Sequence, residues 1–533
     1  MKNNIFKNRS LCVIDDFSLD ERIYFFNKVT EFKNAWINKD KDKINSFIIN
    51  DPYFKAYLVF LENSTRTKES TKNALIMHKI PFLDFDSNKS SFNKGESYLD
   101  GFNNLIGYGP NVFFVRSTIE GLCTALEDSS NKFIERHYEH NFEKPSFINC
   151  GDGKHEHPTQ ELLDEFSFLE YNKGSRDKIH IALIGDLLHG RTIHSKANGL
   201  KGVFNNVKID LIAPDELKLP SNYERIMIEN NFEINKYESL DEYLSHKNIA
   251  KLFYFTRLQL ERMGENIRMK EKNLRKKVTL TKEHINILNS KNKDYHLFHP
   301  LPRIKNTPTI PFWVDPLKCN AYEKQSINGL YCRAVLLSLI GGRIGSDFEG
   351  RSKSIETYEN EFITYINTSS SNLEKHKFKE GIKSIQTGIV IDHIAKGKSL
   401  SEIGHKLRTI EDILKINSEG GFWKTHSPDG LLKGLYFIPY LKELSYEQLK
   451  KLAALAPKCR VNYIKDHSVT KKIELNLPSK IEGYHNLECN NPNCISRSEL
   501  FENVTPIFNK QTNDSFKCKF CSTNHSYDEI WKS

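Results

Sequence analysis

Five short polar segments carry residue types suited to holding and moving anions. Ser64-Thr65-Arg66-Thr67 sets three hydroxyls beside a guanidinium, after the apolar run Tyr57–Phe60 and ahead of a helical pattern over Glu69–Lys79. That order places them at a helix N-terminus, where unpaired N–H groups and the positive end of the helix dipole face outward. Such donors make a phosphate cradle, although an ordinary hydroxyl N-cap is the plainer reading of the same residues. The second segment runs from Gly151 to Gln160, with glycines for a turn and Pro158 to open a helix. His157 and Gln160 are three apart and share the face at that helix entrance. An imidazole there can donate to a carbonyl oxygen and a carboxamide can hold an amide; the alternative is a loop histidine with a local bond only. Gly185–Ser195 carries Arg191, and Tyr254–Gln259 carries Arg257 and Gln259. Either arginine alone is most often a surface charge, but two at two strand ends suit a dicarboxylate held by forked hydrogen bonds. In His299-Pro300-Leu301-Pro302-Arg303 two prolines stiffen a loop and leave its carbonyls for other partners.

These segments need strand ends to stand on. Residues 20–145 alternate helix and strand, with a second buried strand at Asn111–Val115. The pattern restarts near Lys178, with strands at Ile179–Gly185, Val207–Ile212 and Leu252–Phe255. Alternation of this kind means parallel sheets covered by helices. Two blocks mean two α/β domains with a ligand in the cleft between them. No G-x-G-x-x-G follows the 179–185 strand, so a nicotinamide site is not supported. We place one domain at 1–165, joined by a closing helix at 322–340, and the other at 166–321. The charged stretch 265–295 reads as a solvated loop and helix. Residues 341–376 turn polar and read as a linker. A small α+β domain follows at 377–478, with a helix near Ser445–Ala456.

The tail, 479–533, holds Cys489-x4-Cys494 and Cys518-x2-Cys521. Two close pairs at this spacing suit a structural Zn2+ with four thiolates. Two disulfides are disfavoured, because the six other cysteines are scattered singly, as in a reducing cytoplasm. The tail carries six Lys or Arg against seven Asp or Glu, which argues against a nucleic-acid face. The whole chain of 533 residues has a net charge of only +9, spread along its length. No apolar run of membrane-spanning length occurs, and no signal-peptide pattern precedes Ser10.

Taken together and in order, the five segments resemble aspartate carbamoyltransferase, from about residue 20 to the end. The resemblance implies transfer of the carbamoyl group of carbamoyl phosphate to L-aspartate. It implies that Ser64, Thr65, Arg66, Thr67 and Arg116 hold the phosphate. His157, with Arg66 and Thr67, would polarise the carbamoyl oxygen. Gln160 and the carbonyls of Leu301 and Pro302 would hold its NH2, and Arg191, Arg257 and Gln259 the aspartate. Ser90 and Lys94 look like the family loop that enters a neighbouring subunit's site, which makes the enzyme a trimer at least, or a hexamer. Ornithine carbamoyltransferase is the nearest alternative, but it reads Cys where this chain has Pro300 and lacks the paired acceptor arginines. A catalytically silent scaffold of the same fold is the non-enzymatic alternative, and it predicts a missing catalytic group where none is missing.

Residues 377–533 resemble the regulatory chain of the same enzyme, through Gly388-Ile389-Val390-Ile391-Asp392-His393, Leu452–Asn462 and Cys489–Ser496. That resemblance implies nucleotide effectors, CTP or ATP, near Asp392, His393 and Lys433. The pattern departs at Phe437, where a second lysine is expected, so a purely structural role stands beside the regulatory one.

Overall fold

A computed structural model of the chain describes residues 4–86, 90–259, 264–291, 294–352, 362–367, 385–414, 420–511 and 515–531. Packing divides it into two units. The first takes Met1–Ser354 with the short segments Asn491–Val504 and Phe520–Ser522, and the second takes the remainder.

The first unit holds two parallel sheets. β1 (Ala56–Phe60), β2 (Phe82–Phe85), β3 (Val112–Ser117) and β4 (Ser146–Asp152) lie in the order β2-β1-β3-β4. β5 (Lys178–Ile184), β6 (Asn206–Ile212), β7 (Glu233–Tyr237), β8 (Leu252–Phe255) and β9 (His296–Phe298) lie in the order β7-β6-β5-β8-β9. Continuous apolar runs are what a strand covered on both faces requires, and every residue of β1, β3, β4 and β8 is buried. In each sheet the chain reverses its direction of winding beside the first strand. The carboxyl ends of β1 and β3, and of β5 and β8, therefore diverge and open a crevice. The Ser64–Thr67 segment and Arg116 stand at the first crevice, Arg191 and Arg257 at the second.

Two helices tie the sheets together. Pro158–Tyr171 leaves β4 and leads to β5, and nearly all of it is buried. Tyr322–Ile340, the expected closing helix, packs on it and on the helix Thr65–Met77. One core runs through Phe114, Ile148, Phe166, Leu183 and Leu337, spanning both sheets. The charged stretch 265–295 is more ordered than expected, forming helices Glu265–Arg268, Glu271–Val278 and Lys282–Lys291. Leu274, Val278, Ile285 and Leu288 anchor them in a second core. Spaced apolar residues within a charged sequence supply the buried face of an amphipathic helix.

The second unit holds an antiparallel six-stranded sheet of β10 (Ile363–Tyr365), β11 (Gly388–Ile394), β12 (Gly421–His426), β13 (Leu432–Pro439), β14 (Arg460–Lys465) and β15 (Ser468–Leu475), in the order β10-β15-β14-β11-β13-β12. Helices Leu400–Leu414 and Tyr446–Leu455 accompany it, and the second opens on a capping box at Ser445 and Gln448. β10 lies inside the stretch read as linker. It pairs antiparallel with β15, a partner more than a hundred residues away that local composition does not reveal. Residues 341–352 of that stretch belong instead to the first unit, with Ile344 and Phe348 packed on its core, and 353–361 and 368–376 fall outside the described residues. β16 (Lys480–Glu482), β17 (Ile507–Lys510), β18 (Phe516–Cys518) and β19 (Asn524–His525) form a small antiparallel sheet in the tail. No helix among the described residues is long and apolar enough to cross a membrane.

Candidate functional site

Both crevices open into one cleft of about 680 Å3 within the first unit. It gathers Ser64, Thr65, Arg66, Thr67, Arg116, His157, Gln160, Arg191, Arg257, Gln259, Leu301 and Pro302, as the sequence reading expects. Ser90 and Lys94 do not line it. Lys94 ends a short 3-10 turn, Ser91–Lys94, and is exposed.

The helix begins at Thr65, earlier than its apolar periodicity indicated, so Thr65-Arg66-Thr67 form its first turn. Ser64 is the N-cap residue, yet its hydroxyl makes no capping bond. The plainer reading of this segment is therefore not what the fold uses. Arg66 and Arg116 face the same space; desolvation and then the Arg116 charge lower the Arg66 pKa. Arg116 is anchored by Nη1 donating to the Cys150 carbonyl at 2.9 Å. Arg191 Nη1 donates to the Gly153 carbonyl at 3.0 Å. A glycine is required between them: at Gly151, with φ +113°, a Cβ would lie 2.7 Å from Arg116 Nη1 and 3.2 Å from Arg191 Nη1.

His157 caps the buried helix that Pro158 opens. Burial, then the positive charges of Arg191, Arg116 and Arg333, push its pKa well below the ordinary value, so the ring is neutral. Its Nδ1 lies 3.3 Å from Thr159 Oγ1, which in turn accepts from Arg333 Nη2 at 3.2 Å. With the guanidinium donating to that oxygen, the hydroxyl has its own proton to offer to Nδ1. In the tautomer that accepts this proton, Nε2–H faces Thr67 Oγ1 at 3.3 Å at the cleft. Gln160 Nε2 donates to Asp164 Oδ1 at 2.9 Å. Gln259 is held by its own carboxamide on the His189 carbonyl at 2.8 Å and by its backbone N–H on Asp186 at 3.0 Å. Gly185, with φ +115°, lets β5 pass the Thr256 carbonyl, which a Cβ would meet at 2.5 Å.

Sequence reasoning missed Glu62 and Arg333. Glu62 follows β1 by two residues, and its carboxylate lies 2.7 Å from Arg116 Nη2 and 4.0 Å from Arg191 Nη1. An acid just before a run of phosphate donors was the available signal. Arg333 sits mid-helix among apolar residues, and only the fold brings it to Thr159.

In the tail, Cys489, Cys494, Cys518 and Cys521 are buried, with sulfurs all within 4.8 Å of one another. Four thiolates on a tetrahedral Zn2+ lie roughly 3.8 Å apart, so the set fits that ion. His525 Nε2 stands 3.5 Å from Cys489 Sγ and Ser496 Oγ 3.2 Å from Cys494 Sγ, placed to support the sulfurs. No disulfide links any of the ten cysteines. The Asn491–Val504 segment reaches the catalytic loops through Glu120. The Glu120 backbone N–H donates to the Asn493 carbonyl at 2.8 Å, and its carbonyl accepts from Ile495 N–H at 3.0 Å. Its carboxylate accepts from Asn491 Nδ2 at 2.6 Å and from Lys154 N–H at 3.1 Å, in the loop that leads to His157.

In the second unit Asp392, His393 and Lys433 come together. Lys433 Nζ lies 2.7 Å from the Asp392 carboxylate, and its charge, after the opposing effect of burial, holds that acid's pKa down. Phe437 is on the same strand, with its ring against Gly421 of β12.

Three family models match this chain. The carbamoyl-phosphate-binding domain of aspartate/ornithine carbamoyltransferase matches residues 9–170. The allosteric and metal-binding domains of the aspartate carbamoyltransferase regulatory chain match residues 380–476 and 479–531. Protein PyrBI of Treponema denticola is 47% identical over 99% of both chains, and that of Thermotoga maritima 45% identical over 99% of both. The catalytic subunit of aspartate transcarbamoylase from M. jannaschii is similar in structure, with a TM-score of 0.51 and 27% identity, over 64% of this chain and 98% of its own. Aspartate transcarbamoylase from Trypanosoma cruzi, solved with N-(phosphonacetyl)-L-aspartic acid, shares the fold at a TM-score of 0.53 and 24% identity, over 63% of this chain and 97% of its own.

Proposed function

The chain belongs to the aspartate carbamoyltransferase family, a catalytic chain joined to a regulatory chain in one polypeptide, and from that premise we propose which of its residues carry the reaction. The reaction moves the carbamoyl group of carbamoyl phosphate to the amine of L-aspartate, giving N-carbamoyl-L-aspartate and phosphate for pyrimidine synthesis.

The phosphate lies on the first turn of the helix Thr65–Met77, bonded by Ser64, Thr65, Arg66, Thr67 and Arg116. His157 Nε2–H, Arg66 and Thr67 face the carbamoyl oxygen. Gln160 and the carbonyls of Leu301 and Pro302 face the carbamoyl nitrogen. Arg191 and Arg257 fork onto the aspartate carboxylates, and Gln259 braces that side. The amine lone pair attacks the carbamoyl carbon, and the C=O electrons move onto oxygen. Neutral His157 donates to this oxyanion without having to lose a charge of its own. The oxyanion collapses, the C–O bond to phosphate breaks, and the departing phosphate takes the proton from the amine. Positioning two anions and stabilising one developing charge supply the rate.

The observation that carries this reading is the pairing, in one cleft, of a phosphate-type helix terminus at one sheet's crevice with two arginines at the other's. Purified protein given carbamoyl phosphate should release phosphate with aspartate and not with ornithine; release with ornithine alone would reverse the acceptor assignment.

Ser90 and Lys94 serve a neighbouring copy's cleft, so the active form is a trimer or a hexamer. The exposure of Lys94, and the fact that neither residue lines this chain's own cleft, support that reading. The domains run 1–165 with 322–340, 166–321, 377–478 and 479–533, and the four cysteines of the last hold a structural Zn2+. CTP or ATP binds near Asp392, His393 and Lys433, and the protein works in the cytoplasm. Mass measurement in solution and aspartate saturation with and without nucleotide test the assembly and the regulation.

A further inference from the structure

Asp164 is the junction of the catalytic unit. It is fully buried on the helix Pro158–Tyr171. Its Oδ1 accepts from Gln160 Nε2 at 2.9 Å and from Gln325 Nε2 at 2.7 Å. Its Oδ2 accepts from Lys196 Nζ at 2.9 Å and from Tyr254 Oη–H at 2.7 Å. A carboxylate has about four acceptor positions and no donor, so these four bonds use it completely. Lys196 also pairs with Glu161 at 2.6 Å, and this ammonium is fully buried.

A carboxamide has two unlike ends, and what one end meets decides what the other presents. Gln325 shows the rule at work: its NH2 is on Asp164, and its Oε1 accepts from the His299 N–H at 3.0 Å. Gln160 obeys the same constraint. With its NH2 committed to Asp164, its Oε1 is the end left for the cleft it lines, and among the described residues no protein donor holds that oxygen.

We infer that Asp164 is a positioning residue that sets the hydrogen-bond polarity of Gln160, so that the cleft presents an acceptor and selects an acyl phosphate bearing N–H over one bearing a methyl group. The inference rests on the proposed role of Gln160 against the carbamoyl nitrogen. Asp164 touches no substrate, and its effect is on choice between substrates. A carbamoyl NH2 finds the Gln160 oxygen as partner, whereas a methyl group leaves that oxygen desolvated and unpaired, the asymmetry from which selectivity comes. Through Gln325 the same carboxylate holds the His299 loop that carries Leu301 and Pro302, two further acceptors for the nitrogen.

Asp164→Asn tests this directly. Its single oxygen must stay with Lys196, whose ammonium can only donate or lose a buried bond, and Tyr254 can still donate to it. Its NH2 then faces Gln160 and Gln325 and turns both amides round. Lys196 keeps Glu161 as counter-ion, and Glu161 and Glu165 still face Lys196 and Arg22, so no charge is stranded. The measurement is the ratio of kcat/KM for carbamoyl phosphate to that for acetyl phosphate, at saturating aspartate, by phosphate release. Both substrates are read on one preparation, so the ratio does not depend on the folded fraction. D164N should lower the ratio by about tenfold or more, with little change for acetyl phosphate. Asp164→Ala, which removes the acceptor without offering a donor, should lower it less. Tyr254→Phe removes an Oδ2 donor only and should leave it unchanged.

Gln160→Leu separates the two levels of the argument. A ratio unchanged in Q160L shows that Gln160 does not read the nitrogen, and the inference falls with that role. A ratio lowered in Q160L but kept in D164N overturns the inference and leaves the Gln160 role standing. Equal loss on both substrates in D164N also overturns it, because that is what mere structural damage gives. The double variant should match Q160L, since with no amide there is no polarity left to set.

Discussion

Replacing one buried histidine should change how this protein tolerates acid by a calculable amount. His78 is fully buried, and burial lowers its pKa to about 4 from an ordinary 6.5. Its bonds demand the neutral ring: Nε2–H donates to the Ala334 carbonyl at 2.8 Å, while Nδ1 accepts from Ile49 N–H at 3.2 Å. A protonated ring would turn that acceptor into a second donor. The unfolded chain takes up the proton near 6.5 and the folded chain does not until far lower. The unfolded state therefore binds more protons through this interval, and stability falls as pH falls. Between pH 7.5 and 5.5 the unfolded-state term changes tenfold, about 1.4 kcal/mol. The figure is insensitive to the folded-state value, provided that lies below about 5. His194 and His299, lowered by burial to about 4 and about 3, behave alike, and the three together cost about 4 kcal/mol. His78→Gln keeps a donor and an acceptor and has no proton to gain. Urea unfolding of both proteins at the two pH values gives the test. H78Q should be less stable than the parent at pH 7.5, and the gap should close by about 1.4 kcal/mol at pH 5.5. A constant gap, or one that widens in acid, would refute the assignment of a neutral, buried His78.

Other perturbations probe the cleft and the tail. Glu62→Gln removes the carboxylate shared by Arg116 and Arg191; free phosphate should then inhibit more strongly while KM for aspartate rises, and the pair's partial exposure keeps each effect near tenfold or below. Arg257→Ala deletes one forked partner, so kcat/KM for aspartate should fall roughly 10- to 100-fold with less change in KM for carbamoyl phosphate; equal change in both would contradict its placement on the acceptor. Cys494→Ser should lower bound zinc and release the Asn491–Ile495 strand from Glu120, read as faster amide exchange at Glu120 and Lys154; unchanged exchange would mean that the loop is held without the metal.

Most of the cleft was legible in the sequence because its donors are local. Ser64 to Thr67, and His157 with Gln160, are consecutive or one helical turn apart, and the strand before the first set is a plain apolar run, whereas β4 before His157, Ser-Phe-Ile-Asn-Cys-Gly-Asp, was not read from the sequence. What stayed hidden was contact over long sequence distance. Arg333 meets Thr159 across 174 positions, and Gln325 meets Asp164 across 161. Nothing in the sequence marks Lys196 as buried, yet it is fully buried on two acids. No periodicity separates a buried charge from a solvated one, because the difference lies in the partner. β10 was missed for the same reason: three residues make a strand only because β15 offers an unpaired edge.

Charge around the cleft is unevenly placed. Arg66, Arg116, Arg191, Arg257 and Arg333 all line it, and guanidiniums keep their charge at any working pH. Without substrate they repel one another, as the lowered Arg66 and His157 values record. Glu62 answers part of that field from within the cleft. Beneath it the helix Pro158–Tyr171 buries Glu161, Asp164 and Glu165 against only Lys196 and Arg22. Burial raises the Glu161 pKa and takes that of Glu165 to about 8, so Glu165 keeps its proton at neutral pH and the ionised acids balance Lys196 and Arg22; Glu161 and Glu165 each leave an oxygen without a hydrogen-bond partner. The buried acids are thus matched by their own cations, and the carboxylate that lowers the repulsion in the empty cleft is Glu62, beside Arg116 and Arg191. Phosphate and a dicarboxylate can then be bound together by groups whose positions are already fixed. A cationic acceptor such as ornithine would bring its charge to Arg191 and Arg257, with Glu62 4.0 Å from Arg191 as an acid lining that side of the cleft. The choice of acceptor is therefore set by where the acids were placed as well as by the arginines themselves.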